Sequence, residues 1–173
     1  MIYNYILYPA IGIILLLILS SCTVDRSIKV VDNFIPQNYM GKWYEIARLP
    51  NHFQAGLTNV YAIYSLNEDN TIKVENFGTK NNEVKSIIGT AKLNIQPNIG
   101  ELKVSFFYPF YSNYRIIKLA PDYRYSIVIG NKPKTLWILA RTKTLSFQDL
   151  REINHFLKAN KIPIDKLLWN KNY

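Results

Sequence analysis

The sequence contains one cysteine and two histidines among its 173 residues. One cysteine excludes an intramolecular disulfide and a zinc site built from cysteines alone, and two histidines are too few for most histidine-rich metal centres. We therefore expect neither a metal nor a cofactor. Hydrophobic residues make up 49% of the chain, which excludes a disordered protein and predicts one globular domain.

Acidic residues are also scarce, with 12 Asp and Glu against 21 Lys and Arg, a formal net charge of +9. Such an excess suits either an ordinary solvated surface or contact with anionic lipid headgroups. Nothing in the sequence resembles a motif that reads a nucleic-acid groove, so we expect no nucleic-acid partner.

Charged residues are missing altogether from Met1–Ser21, and Ile11–Leu19 is almost purely aliphatic. Leu19-Ser20-Ser21-Cys22, at the end of this segment, resembles the bacterial lipobox. The resemblance implies a signal peptide over residues 1–21 that is cut before Cys22, and acylation of Cys22 by fatty acids such as palmitate. An uncleaved membrane anchor is the alternative.

In either case the domain is expected to be tethered to a membrane outside the cytoplasm. Several acyl chains give stable anchoring, whereas one alone is marginal. Thr23 follows the cysteine where an aspartate would retain a lipoprotein in the inner membrane by the enterobacterial rule. We therefore expect a lipid anchor in the outer membrane and a domain that faces the periplasm.

The body of the chain reads as short runs rich in Val, Ile, Tyr, Phe and Thr, separated by turn residues. The predicted strands are Trp43–Arg48, Val60–Leu66, Thr71–Phe77, Val84–Leu93, Leu102–Phe107, Tyr114–Leu119, Tyr125–Ile129 and Leu136–Arg141. Eight strands without intervening helices predict an all-β, antiparallel up-and-down barrel.

One later segment has helical periodicity. Phe147, Leu150, Ile153 and Leu157 recur at three- and four-residue intervals within residues 146–160, and Ser146 is a suitable N-cap. This predicts one C-terminal α-helix packed outside the barrel. Residues 167–169 are expected to form a short final strand.

The segment Gly41-Lys42-Trp43-Tyr44-Glu45-Ile46-Ala47-Arg48 resembles the G-x-W signature that opens the first strand of lipocalins, in the form typical of bacterial outer-membrane lipocalins and apolipoprotein D-like relatives. Further along, Asp122-Tyr123 matches the second half of the family's T-D-Y element, and Leu136–Arg141 resembles its third element, which ends in arginine. The resemblance implies a lipocalin barrel over residues 38–173, preceded by a lipidated cysteine and tether over residues 22–37.

The same resemblance implies structural roles for the signature residues Gly41, Trp43 and Arg141. Trp43 is expected to plug the closed end of the barrel. Arg141 is expected to lie across its indole face and to donate hydrogen bonds to backbone carbonyls.

Strand alternation then predicts which side chains line the interior and bind a ligand. The predicted lining residues are Val60, Ala62, Tyr64, Ile72, Val74, Asn76, Ile87, Val104, Phe106, Ile127, Ile129, Trp137 and Leu139. This lining is apolar with almost no charge, so it favours an acyl chain, and Tyr64 and Asn76 are expected to bind a polar headgroup near the mouth. The loop Leu49–Thr58 is expected to cover the open end.

These features predict a membrane-anchored lipocalin that holds fatty acids or lysophospholipids, for lipid storage or transport in envelope maintenance or repair. A scaffold without a ligand is an alternative, because exposed tyrosines at positions 108, 111, 114 and 125 would form an aromatic contact surface or support a homodimer. A lipid-modifying enzyme is a weaker alternative: Glu45 is the one acid expected to face inward on the first strand, and one acid is not a catalytic set. We expect no enzymatic activity.

Overall fold

The computed structural model describes residues 27–96, 98–131 and 135–170. The predicted signal peptide and Cys22 lie outside the described residues. Among those that are described, no helix has the length and apolar character needed to cross a membrane.

The chain forms the predicted closed antiparallel barrel. Its strands are β1 (Gly41–Arg48), β2 (Thr58–Leu66), β3 (Ile72–Lys80), β4 (Glu83–Leu93), β5 (Glu101–Phe107), β6 (Phe110–Leu119), β7 (Tyr125–Gly130) and β8 (Leu136–Ala140). Each strand pairs with the next along the chain, and β1 pairs with both β2 and β8, which closes the sheet. A short strand of two residues, β9 (Leu168–Trp169), pairs with the end of β1.

Two tight turns make strands longer than the sequence predicted. Asn81 and Asn82 have φ of 52° and 62°, so they connect β3 to β4 as a two-residue hairpin and both strands run up to it. In the same way β6 begins at Phe110 because only residues 108 and 109 separate it from β5.

The predicted helix is present as α2 (Phe147–Ala159), following a short α1 (Pro36–Tyr39) before the barrel. Ser146 caps α2, since its side-chain oxygen accepts a hydrogen bond from the Asp149 amide at 3.1 Å. Ile153 and Leu157 pack fully buried against the outer face of the barrel. Phe147 departs from the predicted apolar face, because it is 77% exposed.

Part of the predicted tether belongs to the folded domain. Phe34 is 1% exposed within the interior cluster of the barrel, and the Val31 amide donates to the Ile116 carbonyl at 2.9 Å. The folded chain therefore begins before the predicted boundary at residue 38, because the closed end needs a plug of side chains that precede β1.

Candidate ligand chamber

The barrel has a closed end, at which β1 begins, and an open end formed by the loops β1–β2, β3–β4, β5–β6 and β7–β8. At the closed end Trp43 is 0% exposed. The Arg141 guanidinium lies over its ring at 4.0 Å from the centroid and donates to the carbonyls of Asn38 and Lys42 at 2.7 and 3.0 Å. Gly41 has φ of 89°, a conformation that favours glycine. This is the arrangement that the family resemblance implied.

Above Trp43, a cluster of buried hydroxyls forms the floor of the chamber. The Tyr114 hydroxyl lies 2.8 Å from that of Tyr39 and 3.1 Å from that of Tyr64, and Tyr39 donates to Ser126 at 3.2 Å. The expectation that Tyr64 binds a headgroup near the mouth is wrong, because Tyr64 pairs with Gly41 at the start of β1 and so lies at the closed end. Its hydroxyl already has a partner there.

We expect this floor to make the fold sensitive to alkali. Burial raises the pKa of Tyr64 from 10.0 to about 12, and it also raises the pKa of Tyr39 and Tyr114. The unfolded chain ionises these phenols first, so their contribution to stability is complete below pH about 10 and is lost as the pH rises toward about 12. Urea unfolding across this range measures the loss. Tyr64→Phe should make this loss of unfolding free energy smaller. Tyr108→Phe, at a residue 84% exposed, should leave the loss as large as in the parent protein.

Most of the predicted lining faces the interior. Ala62, Tyr64, Ile72, Val74 and Leu139 belong to the buried interior cluster, and Val104, Phe106 and Trp137 pack against it partly buried. Three others, Val60, Asn76 and Ile87, continue the same faces of their strands toward the open end. Ile87 is 38% exposed at this end.

The prediction is wrong for Ile127 and Ile129. Both are fully buried with Ile153 and Leu157 of α2, on the outer face of the barrel. The alternate residues of β7 face inward: Val128 joins the interior cluster and Ser126 bonds to Tyr39. The outer face of β7 is as apolar as an inner one because the helix covers it, so composition did not distinguish the two faces.

The open half of the chamber holds an ion pair that the apolar lining did not predict. Glu45 and Arg48 are 5% and 9% exposed and form a salt bridge. A β-bulge between Glu45 and Ala47 shifts the register, so Arg48 stands opposite Trp137 and shares its inward face. Three residues apart, the two side chains could not share a face of a regular strand.

The loop over the open end is fastened to this pair by Gln54, a residue that sequence reasoning missed. Its Nε2 donates to Glu45 at 2.8 Å, and its Oε1 accepts from the Trp137 indole at 2.7 Å and from Asn51 at 2.8 Å. Arg48 donates to the carbonyls of Gln54 and Leu57, each at 3.2 Å. Residues 49–57 therefore cover the mouth, as the sequence predicted, and hydrogen bonds of Glu45, Arg48 and Gln54 hold them there. We call these three residues the clasp.

Among the described residues, the chamber does not bring together a set typical of a catalytic or metal site. Glu45 and Arg48 are paired with each other, and His52 and His155 are exposed. Within the described residues no group of three or more His, Cys, Asp or Glu side chains could hold a metal ion. Of the tyrosines expected on a contact surface, Tyr125 is 1% exposed under α2 and Tyr114 lies in the floor, so that part of the scaffold hypothesis is wrong.

Comparison with known proteins relates this geometry to a family. The model of the lipocalin-like domain matches residues 36–172. The chain is 39% identical to the outer membrane lipoprotein Blc of Citrobacter freundii over 88% of this chain and 87% of the relative. It is 32% identical to apolipoprotein D of Macaca fascicularis over 86% and 81% of the two chains. Insecticyanin from the tobacco hornworm Manduca sexta shares the fold, with a TM-score of 0.72 at 19% identity over 83% of this chain and 84% of its own.

Proposed function

The chain belongs to the lipocalin-like family, and from that premise we propose that its barrel holds a fatty acid or a lysophospholipid. The observation that supports this is the interior itself. Apolar side chains from β2, β3, β5 and β8 line it, and a clasped loop covers its open end. Lipocalins in general bind small hydrophobic ligands inside the barrel.

The character of the lining favours a long acyl chain over a compact polar ligand. Each methylene that leaves water contributes about 0.8 kcal/mol, so an acyl chain gains affinity without specific polar contacts. The polar groups of the chamber are the tyrosine floor at the closed end, Asn76 on β3, and the Glu45–Arg48 pair. Because the pair lies nearer the mouth, it is the polar group beside which the headgroup of a bound amphiphile would rest.

We further propose that the protein is an outer-membrane lipoprotein acylated at Cys22, with its domain in the periplasm. The support is the lipobox-like segment Leu19–Cys22 together with relatives that are named outer membrane lipoproteins. A lipid carrier in this position would store or transfer the acyl chains that envelope maintenance releases.

A matched pair of variants on β4 tests the carrier function. Ile87 faces the chamber mouth and Ile88 faces outward, 59% exposed, on the neighbouring position. Ile87→Asp places a carboxylate among apolar lining residues and close to an anionic ligand. We expect it to weaken binding of a long-chain fatty acid and of lysophosphatidylethanolamine at least tenfold, which corresponds to about 1.4 kcal/mol. We expect Ile88→Asp to bind as the parent does. Titration of the purified protein, followed by tryptophan fluorescence, measures both.

The outcome also decides between the carrier and the scaffold. If the parent protein binds lipid saturably and only Ile87→Asp weakens the binding, the result supports the carrier function and the barrel interior as the binding site. If the parent chain binds neither lipid, the carrier proposal fails and the ligand-free scaffold takes its place. Native mass spectrometry of the gently purified parent identifies any lipid that it retains and reports whether it is a dimer.

A further inference from the structure

The open end of the barrel carries a set of large apolar side chains that no described residue covers. The β5–β6 hairpin presents Phe107, Tyr108 and Phe110, which are 72%, 84% and 76% exposed. Val84, beside the β3–β4 hairpin, is 71% exposed, and Phe53, in the covering loop, is 52% exposed. Exposed apolar residues grouped at one end of a domain mark a site of protein or membrane interaction.

A positive charge lies close to these apolar side chains at the open end. In the described parts of the open-end loops and their flanking strand ends, Glu83 is the acidic residue and forms an ion pair with Lys85, which leaves Lys80 without a carboxylate to offset it. The closed end carries charges of both signs, with Glu68, Asp69 and Asp122 together with Lys42, Arg124 and Arg141. Aromatic side chains beside a lysine suit the headgroup region of an anionic bilayer.

The first described residues run along the outside of the barrel beside α2. Helix α2 begins near the closed end, where Asp149 pairs with Arg124 of the β6–β7 turn, and its last residues lie farther toward the open end. Ser27 lines an open groove of about 670 Å³ with Ala159 and Lys161, which lie at and just beyond this last turn. Ile117 of β6 also lines this groove, so the first described residues lie beside the last turn of α2 and the outer face of β6.

The length of chain before Ser27 limits how far the domain can move from an anchor. Four residues lie between Cys22 and Ser27, so five Cα–Cα steps join the two. Fully extended, these steps span at most about 18 Å, which keeps Ser27 close to the membrane surface. This step rests on the proposed acylation of Cys22.

We propose that the open end of the barrel docks on an anionic lipid bilayer, with Phe107, Tyr108, Phe110 and Val84 in the headgroup region and Lys80 facing lipid phosphates. The chamber mouth then faces the membrane directly. An amphiphile passes between bilayer and barrel without exposing its whole acyl chain to water, and the clasped loop is the element that it must pass.

Two single-tryptophan additions on the full chain test this orientation. Phe107→Trp places a reporter at the open end, and Ile95→Trp places one at the closed end, where Ile95 is 99% exposed. Both variants keep the native Trp43, Trp137 and Trp169, whose emission is subtracted with the parent protein. Each is reconstituted in vesicles of phosphatidylethanolamine and phosphatidylglycerol that carry brominated acyl chains, and flotation selects the protein bound to vesicles.

We expect the tryptophan at position 107 to emit at a shorter wavelength on vesicles than in solution, and the brominated lipid to quench most of its emission. The tryptophan at position 95 should keep the emission wavelength and intensity of a tryptophan exposed to water. Exchanging phosphatidylglycerol for phosphatidylcholine should reduce the quenching at position 107. Equal quenching of the two reporters on floated vesicles, or none at either, overturns the docking proposal. If the quenching at position 107 is the same with phosphatidylglycerol and with phosphatidylcholine, the proposed role of Lys80 is wrong. Protein that does not float contradicts the anchor, and with it the docking that rests on it, whereas ligand binding by the chamber is measured separately without vesicles.

Discussion

Replacing Trp43 by alanine lowers the free energy of unfolding by about 3–5 kcal/mol. The side chain is fully buried at the closed end, stacks on Tyr39 with ring centroids 4.5 Å apart, and donates from its indole to the Tyr39 carbonyl at 2.8 Å. Alanine leaves a cavity under Arg141, and the guanidinium loses the ring over which it lies. Urea unfolding of parent and variant measures the difference.

Two controls separate this role from the general effect of removing an aromatic ring. Phe147→Ala, at a residue 77% exposed, should change the unfolding free energy by no more than about 0.5 kcal/mol. Trp43→Phe keeps a ring and loses the indole donor, so it should fall between the two. A loss for Trp43→Ala as small as for Phe147→Ala would show that the closed end does not depend on its plug.

Replacing Glu45 by alanine is expected to cost about 3–5 kcal/mol, because it leaves the charge of Arg48 buried without its counter-ion. The same change removes the acceptor of the Gln54 side chain. We therefore expect faster amide hydrogen exchange in residues 49–57 as well as lower stability. Mass spectrometry after exchange and urea unfolding measure the two effects.

The double replacement Glu45→Met with Arg48→Met provides the internal control. It removes both charges together, so most of the lost stability should return, whereas the loop should remain unfastened. The exposed pair Glu83–Lys85 gives an external comparison, since Glu83→Ala should cost at most about 1 kcal/mol. If Glu45→Ala costs no more than Glu83→Ala, the pair is solvated and the clasp does not hold the mouth closed.

The sequence determined the barrel, because its signals are local. Each strand is specified by apolar residues that alternate over a few positions and by the turn residues that flank it. The helix is specified by its N-cap Ser146 and by the helical spacing of Ile153 and Leu157. The G-x-W segment and Arg141 were likewise predictable, since their roles belong to a family pattern. For the same reason most of the interior face of β2, β3, β5 and β8 followed from alternation.

The tertiary structure alone decided three features that define the chamber. The bulge after Glu45 turns Arg48 inward, which strict alternation forbids. The apolar face of β7 is covered by α2, so Ile127 and Ile129 are buried outside the barrel. Gln54, in the loop that follows β1, bonds to Glu45, nine residues before it, and to Trp137, 83 residues after it. Each feature depends on how one element packs on another, whereas a periodic pattern shows that a strand face is buried but not which element buries it.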